Sequence, residues 1–467
     1  MFQIALPAGI DASLFLTYLL MGVLGVGLCI ARRDAVLSAV ALLHAVAGML
    51  TVVAADLITL LIAWELLTFS AYVIIRQGDG HSTGAAFWYL AAQITAAALF
   101  FVAIVVNGVD SLAVQTLDAA AQPFMTAAVL IKTAMMPLHG WLIGSYTRAS
   151  YVGSFVLSAY ATKVGVYTAA RTLSLAVAGL PVLSLVGAAM AVLAVVAALR
   201  QHSARRLLSY HIISQVGYML AGVGLVESIA GAQAGLFHAV NHIVYKGLLF
   251  LVVAVVAQRL GHDDLRRMGG LARKMPLVFA CAVVGAAAIV GLPLTSGYAS
   301  KELLKKALGE PQTTLLVAAS VGTALSFTKF IYLIFLRRSH HAASTDLRTP
   351  RFAGAALVVL AALSILIGVA PGVVPGVPTT RFYALDSVLW GVVPAVAGFA
   401  LWFPLRGLLT RGTAHGSEVP PLRRYLREGA RPALTLLRRA YRIDPQHAIT
   451  TAIVGAFLLV AILVFVG

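Results

Sequence analysis

The stretch AGLFHAVNHIVYKGLLFLVVAVVAQ, Ala234 to Gln258, makes two demands that a soluble fold does not make together. It is apolar over about twenty-five residues, enough to cross a hydrocarbon layer about 30 Å thick as a helix. It also carries His238, His242 and Lys246 at intervals of four. On a helix those positions lie close to one face, roughly 6 Å apart per step, and form a polar stripe about 12 Å long. Lipid gives no partner to such a stripe, so the helix has to be enclosed by protein or water along that face.

The rest of the chain repeats the apolar theme. Of 467 residues 60% are hydrophobic and only 11% charged, against about 25% charged in soluble domains. Apolar runs of spanning length recur at about 12–30, 35–54, 57–76, 85–107, 123–140, 152–171, 180–199, 209–227, 235–257, 276–300, 312–336, 353–373, 384–403 and 448–466. They predict an all-α polytopic membrane protein with about fourteen transmembrane helices. The first run reads as a membrane anchor and not as a cleaved leader. Loops are short, which leaves no soluble domain to house a catalytic site, and no cofactor motif is present. Cys29 and Cys281 lie inside apolar runs, where they make neither a disulfide framework nor a thiolate metal site.

The net charge of +17 is distributed as a membrane protein distributes it. Arg32 and Arg33, Arg200 to Arg206, Arg259 to Lys274, Arg337 to Arg351 and Arg406 to Arg442 fall in alternate loops, and the opposite loops are nearly free of Lys and Arg. This is the positive-inside pattern; it places the basic face in the cytoplasm and both termini outside, and it removes nucleic acid as the reading of the charge. Within 405–447, RRYLREGARPALTLLRRAYR spaces arginines against Leu422, Leu426, Leu434 and Leu437. That segment is expected to lie on the cytoplasmic face as a basic amphipathic helix, held by anionic lipid or by a neighbouring subunit.

Two runs carry helix breakers beside a lysine. In IKTAMMPLHGW, Pro137 follows Lys132; in IVGLPLTSGYASKELL, Pro293 and Gly297 precede Lys301. A break in a spanning helix frees backbone groups that must find partners in protein or water, a feature of ion pathways. Glu65 in DLITLLIAWELLTFSAYVII, Lys163 and Lys329 add further ionisable groups within or at the edges of apolar runs. A charge at the bilayer centre costs at least about 2.5–3.5 kcal/mol, so several of them argue for a shared purpose. Histidine exchanges protons near neutral pH and buried lysine has a movable pKa, so the stripe suits a proton relay. Plainer roles stand beside that one. The two histidines could bond helix to helix or form a zinc pair without a third ligand, and Lys163, Lys301 and Lys329 could reach an interface. Asp56 and Glu227 could line an exit or be interfacial acids, and His211 could link two halves or bond near the surface.

DLITLLIAWELLTFSAYVII, IKTAMMPLHGWL, RRLLSYHIISQVGYMLAG, FHAVNHIVYKGLLFL and GLPLTSGYASKELL together resemble the proton-translocating, antiporter-like subunits of respiratory complex I, Mrp-type sodium/proton antiporters and membrane-bound hydrogenases. The resemblance covers roughly residues 35–340. It implies two inverted five-helix repeats with broken helices, at 35–200 and 201–350, between an anchor at 1–34 and helices at 351–404, with 405–447 on the surface and 448–467 as a last span. It implies that Glu65 is the entry glutamate acting electrostatically on Lys132, that Lys246 is the central lysine, that His238 and His242 bridge, and that Lys301 is the ionisable residue of the second broken helix. Lys163 falls where members alternate lysine and histidine. The resulting expectation is a proton- or sodium-coupling subunit of a multi-subunit complex in a bacterial inner membrane, its pathway running through Glu65, Lys132, Lys163, His211, His238, His242, Lys246, Lys301 and Lys329. Two alternatives accompany it. One is a proton-driven subunit for inorganic-carbon uptake whose zinc site lies in a large cytosolic partner; the other is an inert structural scaffold.

Overall fold

The structure is a computed structural model that describes residues 8–78, 82–108, 112–114, 117–173, 181–225, 229–338, 347–378 and 380–410. These form sixteen helices: α1 (Gly9–Ala31), α2 (Ala35–Val53), α3 (Leu57–Arg76), α4 (Ser82–Asn107), α5 (Gln122–Lys132), α6 (Gly140–Tyr146), α7 (Tyr151–Leu157), α8 (Ala161–Thr172), α9 (Pro181–Leu199), α10 (Ala204–Val223), α11 (Ile229–Leu260), α12 (Pro276–Val290), α13 (Ser296–Ala307), α14 (Gln312–Ile331), α15 (Arg351–Val369) and α16 (Leu385–Thr410). Among the described residues nine helices are long and apolar enough to span a membrane.

Helix starts follow side-chain capping. Asp34 Oδ1 accepts from Leu37 N at 2.9 Å, Asp56 Oδ1 from Thr59 N at 2.7 Å, Ser150 Oγ from Gly153 N at 3.0 Å and Ser203 Oγ from Arg206 N at 3.2 Å. Each satisfies a backbone N–H that a first helical turn leaves without a partner. Asp56, one of the two boundary acids, is therefore a buried helix cap.

The helix that carries the opening stretch is α11, and it is buried without interruption over residues 234–257. It packs against α10, α12, α13, α15, α1 and α7, which keeps lipid away from its polar stripe. Outer helices show the opposite pattern: Leu16, Val23 and Ile30 of α1, Val182 and Leu193 of α9, and Leu385, Phe399 and Leu408 of α16 face outward. Apolar faces of that extent are at rest in hydrocarbon. Close helix approach depends on glycine. A Cβ on Gly217 of α10 would lie 2.5 Å from the Gly187 carbonyl oxygen of α9, and one on Gly297 of α13 would lie 1.8 Å from the Ala288 oxygen of α12. Small residues let helix backbones touch in this way.

Three of the runs read as single spans are each built from two helices. The breaks between α5 and α6 and between α12 and α13 fall at the expected prolines. The third, at Ser158–Tyr160 between α7 and α8, has no proline or glycine to announce it. There the Ser158 hydroxyl bonds back to the Phe155 oxygen at 2.7 Å, competing with the helical ladder. The Tyr160 phenol is drawn to the Tyr18 oxygen of α1 at 2.9 Å. At the C-terminal side, α16 continues to Thr410, past the boundary placed at 404. The surface helix over the remainder of 405–447, the last run at 448–466 and Glu227 lie outside the described residues.

Candidate functional site

The polar groups of the bundle begin at Glu65 on α3. Its Oε1 is buried without a hydrogen-bond partner, and Lys132, at the end of α5, is close enough for the two charges to act on one another. They do not form a direct ion pair. Lys132 Nζ lies 3.4 Å from Thr68 Oγ1 and sits 4.6 Å from the centroid of the Trp64 ring, whose π face attracts a cation. The Ile131 oxygen freed by the break is taken by Trp141 Nε1 at 2.9 Å. Beyond Lys132 the chain meets α8 closely: a Cβ on Gly165 would lie 3.2 Å from Lys132 Cβ, so Lys132 and the helix of Lys163 are packed together.

Three of the five sequence-predicted lysines share a geometry. Lys163 Nζ donates to the Ser158 oxygen at 2.5 Å, at the end of α7. Lys301 Nζ donates to the Ile289 and Val290 oxygens at 2.9 and 3.0 Å, at the end of α12. Lys329 Nζ donates to the Leu199 and Gln201 oxygens, both at 2.8 Å, at the end of α9. Each cation therefore answers the carbonyls and the negative dipole end of a helix C-terminus. Lys246 is different. Its Nζ is buried with no hydrogen-bond partner and lies 5.9 Å from the centroid of the Phe250 ring.

Around Lys246 the histidines divide in the same manner. His242 has both ring nitrogens buried and unpartnered, within electrostatic reach of Lys163 and Lys246. His238 is fully engaged: Nδ1 is 2.9 Å from Ser300 Oγ and Nε2 3.2 Å from Gln215 Oε1, which also accepts from the Tyr245 hydroxyl at 3.2 Å. Because an amide oxygen only accepts, Nε2 carries the proton and Nδ1 faces the Ser300 hydroxyl. Ser300 is the neighbour of Lys301, so α11 is joined to the second broken helix at that point. His211 Nε2 meets Ser326 Oγ at 2.8 Å, linking α10 to α14, and feels the charges of both Lys246 and Lys301.

From Lys301 the polar groups continue toward the end of the bundle opposite the arginines. Its ammonium lies 4.8 Å from the Tyr218 ring centroid beside a cavity of about 60 Å³ lined by Tyr218, Lys301, Glu302, Lys305, Ser320 and Trp390, among others. Glu302 Oε1 accepts from Ser387 Oγ at 2.6 Å and is 3.4 Å from Lys306 Nζ, whose side chain is 38% exposed.

The structure thus brings Glu65 beside Lys132, and Lys163, His242, Lys246, His211, His238 and Lys301 into one buried neighbourhood. Lys329 stands apart, toward the basic end. There it adds to burial in lowering the His202 pKa, as does Arg266. Burial alone would raise Asp264 nearby, but the hydrogen bonds and charge of Arg266 outweigh it and hold the carboxyl below its ordinary value. Sequence reading missed Glu302, although it adjoins Lys301 in the quoted motif. It also passed over the neutral partners Thr68, Gln215, Ser300 and Ser326, which apolar patterning does not mark. Among the described residues no three His, Cys, Asp or Glu side chains gather to hold a metal ion, and both ring nitrogens of His238 are occupied by protein.

Residues 54–326 match the family described as NADH:quinone oxidoreductase/Mrp antiporter, TM. The chain belongs to that family. It is 35% identical over 300 residues to NADH-quinone oxidoreductase subunit L of Escherichia coli, covering 60% of this chain and 48% of that protein. It is 30% identical over 343 residues to a subunit of the Na(+)/H(+) antiporter of Alkalihalophilus pseudofirmus, covering 68% and 69%. The chain spans about half the length or less of the first curated relatives. Its fold is similar to a chain of the archaeal membrane-bound sulfane sulfur reductase (TM-score 0.74, 21% identity, 97% of this chain and 88% of that one). It is also similar to a chain of the Mrp complex of Dietzia sp. (TM-score 0.70, 21% identity, 86% and 85%). This member of the family is a multi-pass membrane protein with a buried polar network, consistent with a bacterial inner membrane.

Proposed function

We propose that this chain is a proton-conducting subunit of a larger membrane complex. Protonation would change in turn at Glu65, Lys132, Lys163, the His242–Lys246 pair, His238 and Lys301. The observation that carries the reading is the buried middle of α11, residues 234–257, on which His242 and Lys246 have nitrogens with no partner within electrostatic reach of Lys163. A group that is only structural is normally satisfied, whereas a group that must gain and lose a proton needs spare capacity. His211 would branch from the central pair, and Lys329 would set the position of α9 at the basic end. The two runs broken at prolines also cross in opposite senses: α5 starts at the charge-poor end and α12 at the basic end, which supports two inverted five-helix repeats.

The relatives come from a quinone oxidoreductase and a sodium antiporter, so the family supports a common path and leaves the coupled reaction to the partner subunits. Exposed Arg32, Arg33, Arg273, Lys274, Arg338 and Arg351 at the basic end favour a cytosolic partner with an acidic face. A second reading makes that partner a large zinc protein that hydrates carbon dioxide, with all zinc ligands supplied by the partner. Copurification separates the two: one large zinc-binding subunit supports the second, and several membrane subunits with redox or antiport partners support the first.

Proton flux into sealed vesicles holding the intact complex tests the conduction itself. Lys246→Ala and Glu65→Gln are expected to lower flux at least tenfold at normal assembly. Full flux in both would refute it.

A further inference from the structure

His44 on α2 belongs to none of the motifs above, yet it is fully buried among the groups that the path uses. Its Nδ1 lies 2.8 Å from Ser70 Oγ on α3. Ser70 has a single hydroxyl proton, and the Leu66 oxygen at 2.7 Å takes it, so Nδ1–H is the donor and the tautomer is fixed. The lone pair is then on Nε2, which is buried and has no partner. The edge of the imidazole meets the Tyr160 ring at 5.0 Å between centroids, at the break just before Lys163. The Lys132 charge also acts on it. Apart from the serine, His44 is met by the Leu67 backbone carbonyl, the Tyr160 ring and the charge of Lys132.

We infer that His44 is a proton-carrying station between Lys132 and Lys163. The inference rests on the conduction proposed above. In the step, water bridges Lys132 to His44: an N–H bond of the Lys132 ammonium breaks as the water takes that proton, and the water gives another to His44 Nε2, leaving an imidazolium that still donates from Nδ1 to Ser70. Release of the Nε2 proton to a second water, which passes one of its own to the Lys163 amine, returns the neutral ring and forms the N–H bond at Lys163. The fixed tautomer leaves the receiving nitrogen open before each transfer, which a histidine present only to join α2 to α3 would not require.

His44→Asn tests this directly, because the asparagine amide can replace Nδ1 as donor to Ser70 but has nothing that titrates. His44→Gln is a second non-titrating side chain, so that poor assembly of one leaves the other readable. In vesicles of the intact complex both are expected to lower proton flux at least tenfold at normal assembly. Either variant within twofold of wild type overturns the inference. Lys246→Ala measured alongside keeps the two failures apart: if it abolishes flux and His44→Asn does not, only the station at His44 is lost.

Discussion

Lys246→Met is expected to stop proton flux while leaving the chain at least as stable as wild type, and Lys301→Met to cost both. Lys246 Nζ makes no hydrogen bond, so methionine of similar length removes no contact of that kind. It also relieves a buried unsatisfied polar group, worth about 1–3 kcal/mol. Lys301 Nζ serves two carbonyls at the end of α12, at 2.9 and 3.0 Å. A hydrogen bond to a charged group contributes about 1.5–3 kcal/mol. Lys301 is only part-buried beside the cavity, and solvent screening there reduces the loss on substitution to about 1–3 kcal/mol in all. Thermal unfolding of the purified intact complex, followed by intrinsic fluorescence, should therefore place Lys301→Met below wild type and Lys246→Met level with it or above. Flux through vesicles should fall in both. If Lys246→Met melted well below Lys301→Met, the central lysine would be holding the fold, and the distinction between capping and unpartnered cations would be wrong.

Two further outcomes follow from packing and charge. Gly217→Val puts a Cβ 2.5 Å from a carbonyl oxygen of α9 and should destabilise the bundle by about 1–3 kcal/mol; Gly84→Ala on α4, with open space around it, should be neutral or slightly stabilising, and thermal unfolding reads both. Asp264 has a lowered carboxyl pKa in the fold, so its contribution to the turn at Leu265–Arg267 is present above the unfolded value of about 3.9 and is lost as pH falls through the folded value. Amide exchange at Arg266 should be faster in Asp264→Asn than in wild type near neutral pH, and the difference should fade as pH falls through the lowered folded value; a difference that persisted with the carboxylate protonated would exclude it as the cause.

How far the sequence could be read depended on what each residue type signals. Long apolar runs and the asymmetry of arginine gave the membrane class, because hydrophobic length and loop charge are local properties. The breaks at Pro137 and Pro293 were visible for the same reason. The break at Ser158 was not: it arises from a hydroxyl bonding backward and from Tyr160 reaching α1, a contact 142 residues away in sequence. The buried lysines could be found as charges among apolar residues, but nothing local distinguishes Lys301, on two carbonyls, from Lys246, on none. His44 was within reach of the rule that found His238 and His242, since it too interrupts an apolar run. It stands alone on its helix, however, and a single histidine makes no stripe.

The most direct measurement is an experimental density map of the intact complex in lipid, fine enough to resolve bound water. The proton path requires ordered water, or a side-chain contact, at the nitrogens it uses that are buried without a protein partner: His44 Nε2, His211 Nδ1, His242 Nδ1 and Nε2, and Lys246 Nζ. Those waters should join Glu65 through Lys132 and Lys246 to Lys301 without a gap longer than one hydrogen bond. Apolar side chains packed tightly against the same nitrogens, with no water along the row, would contradict it.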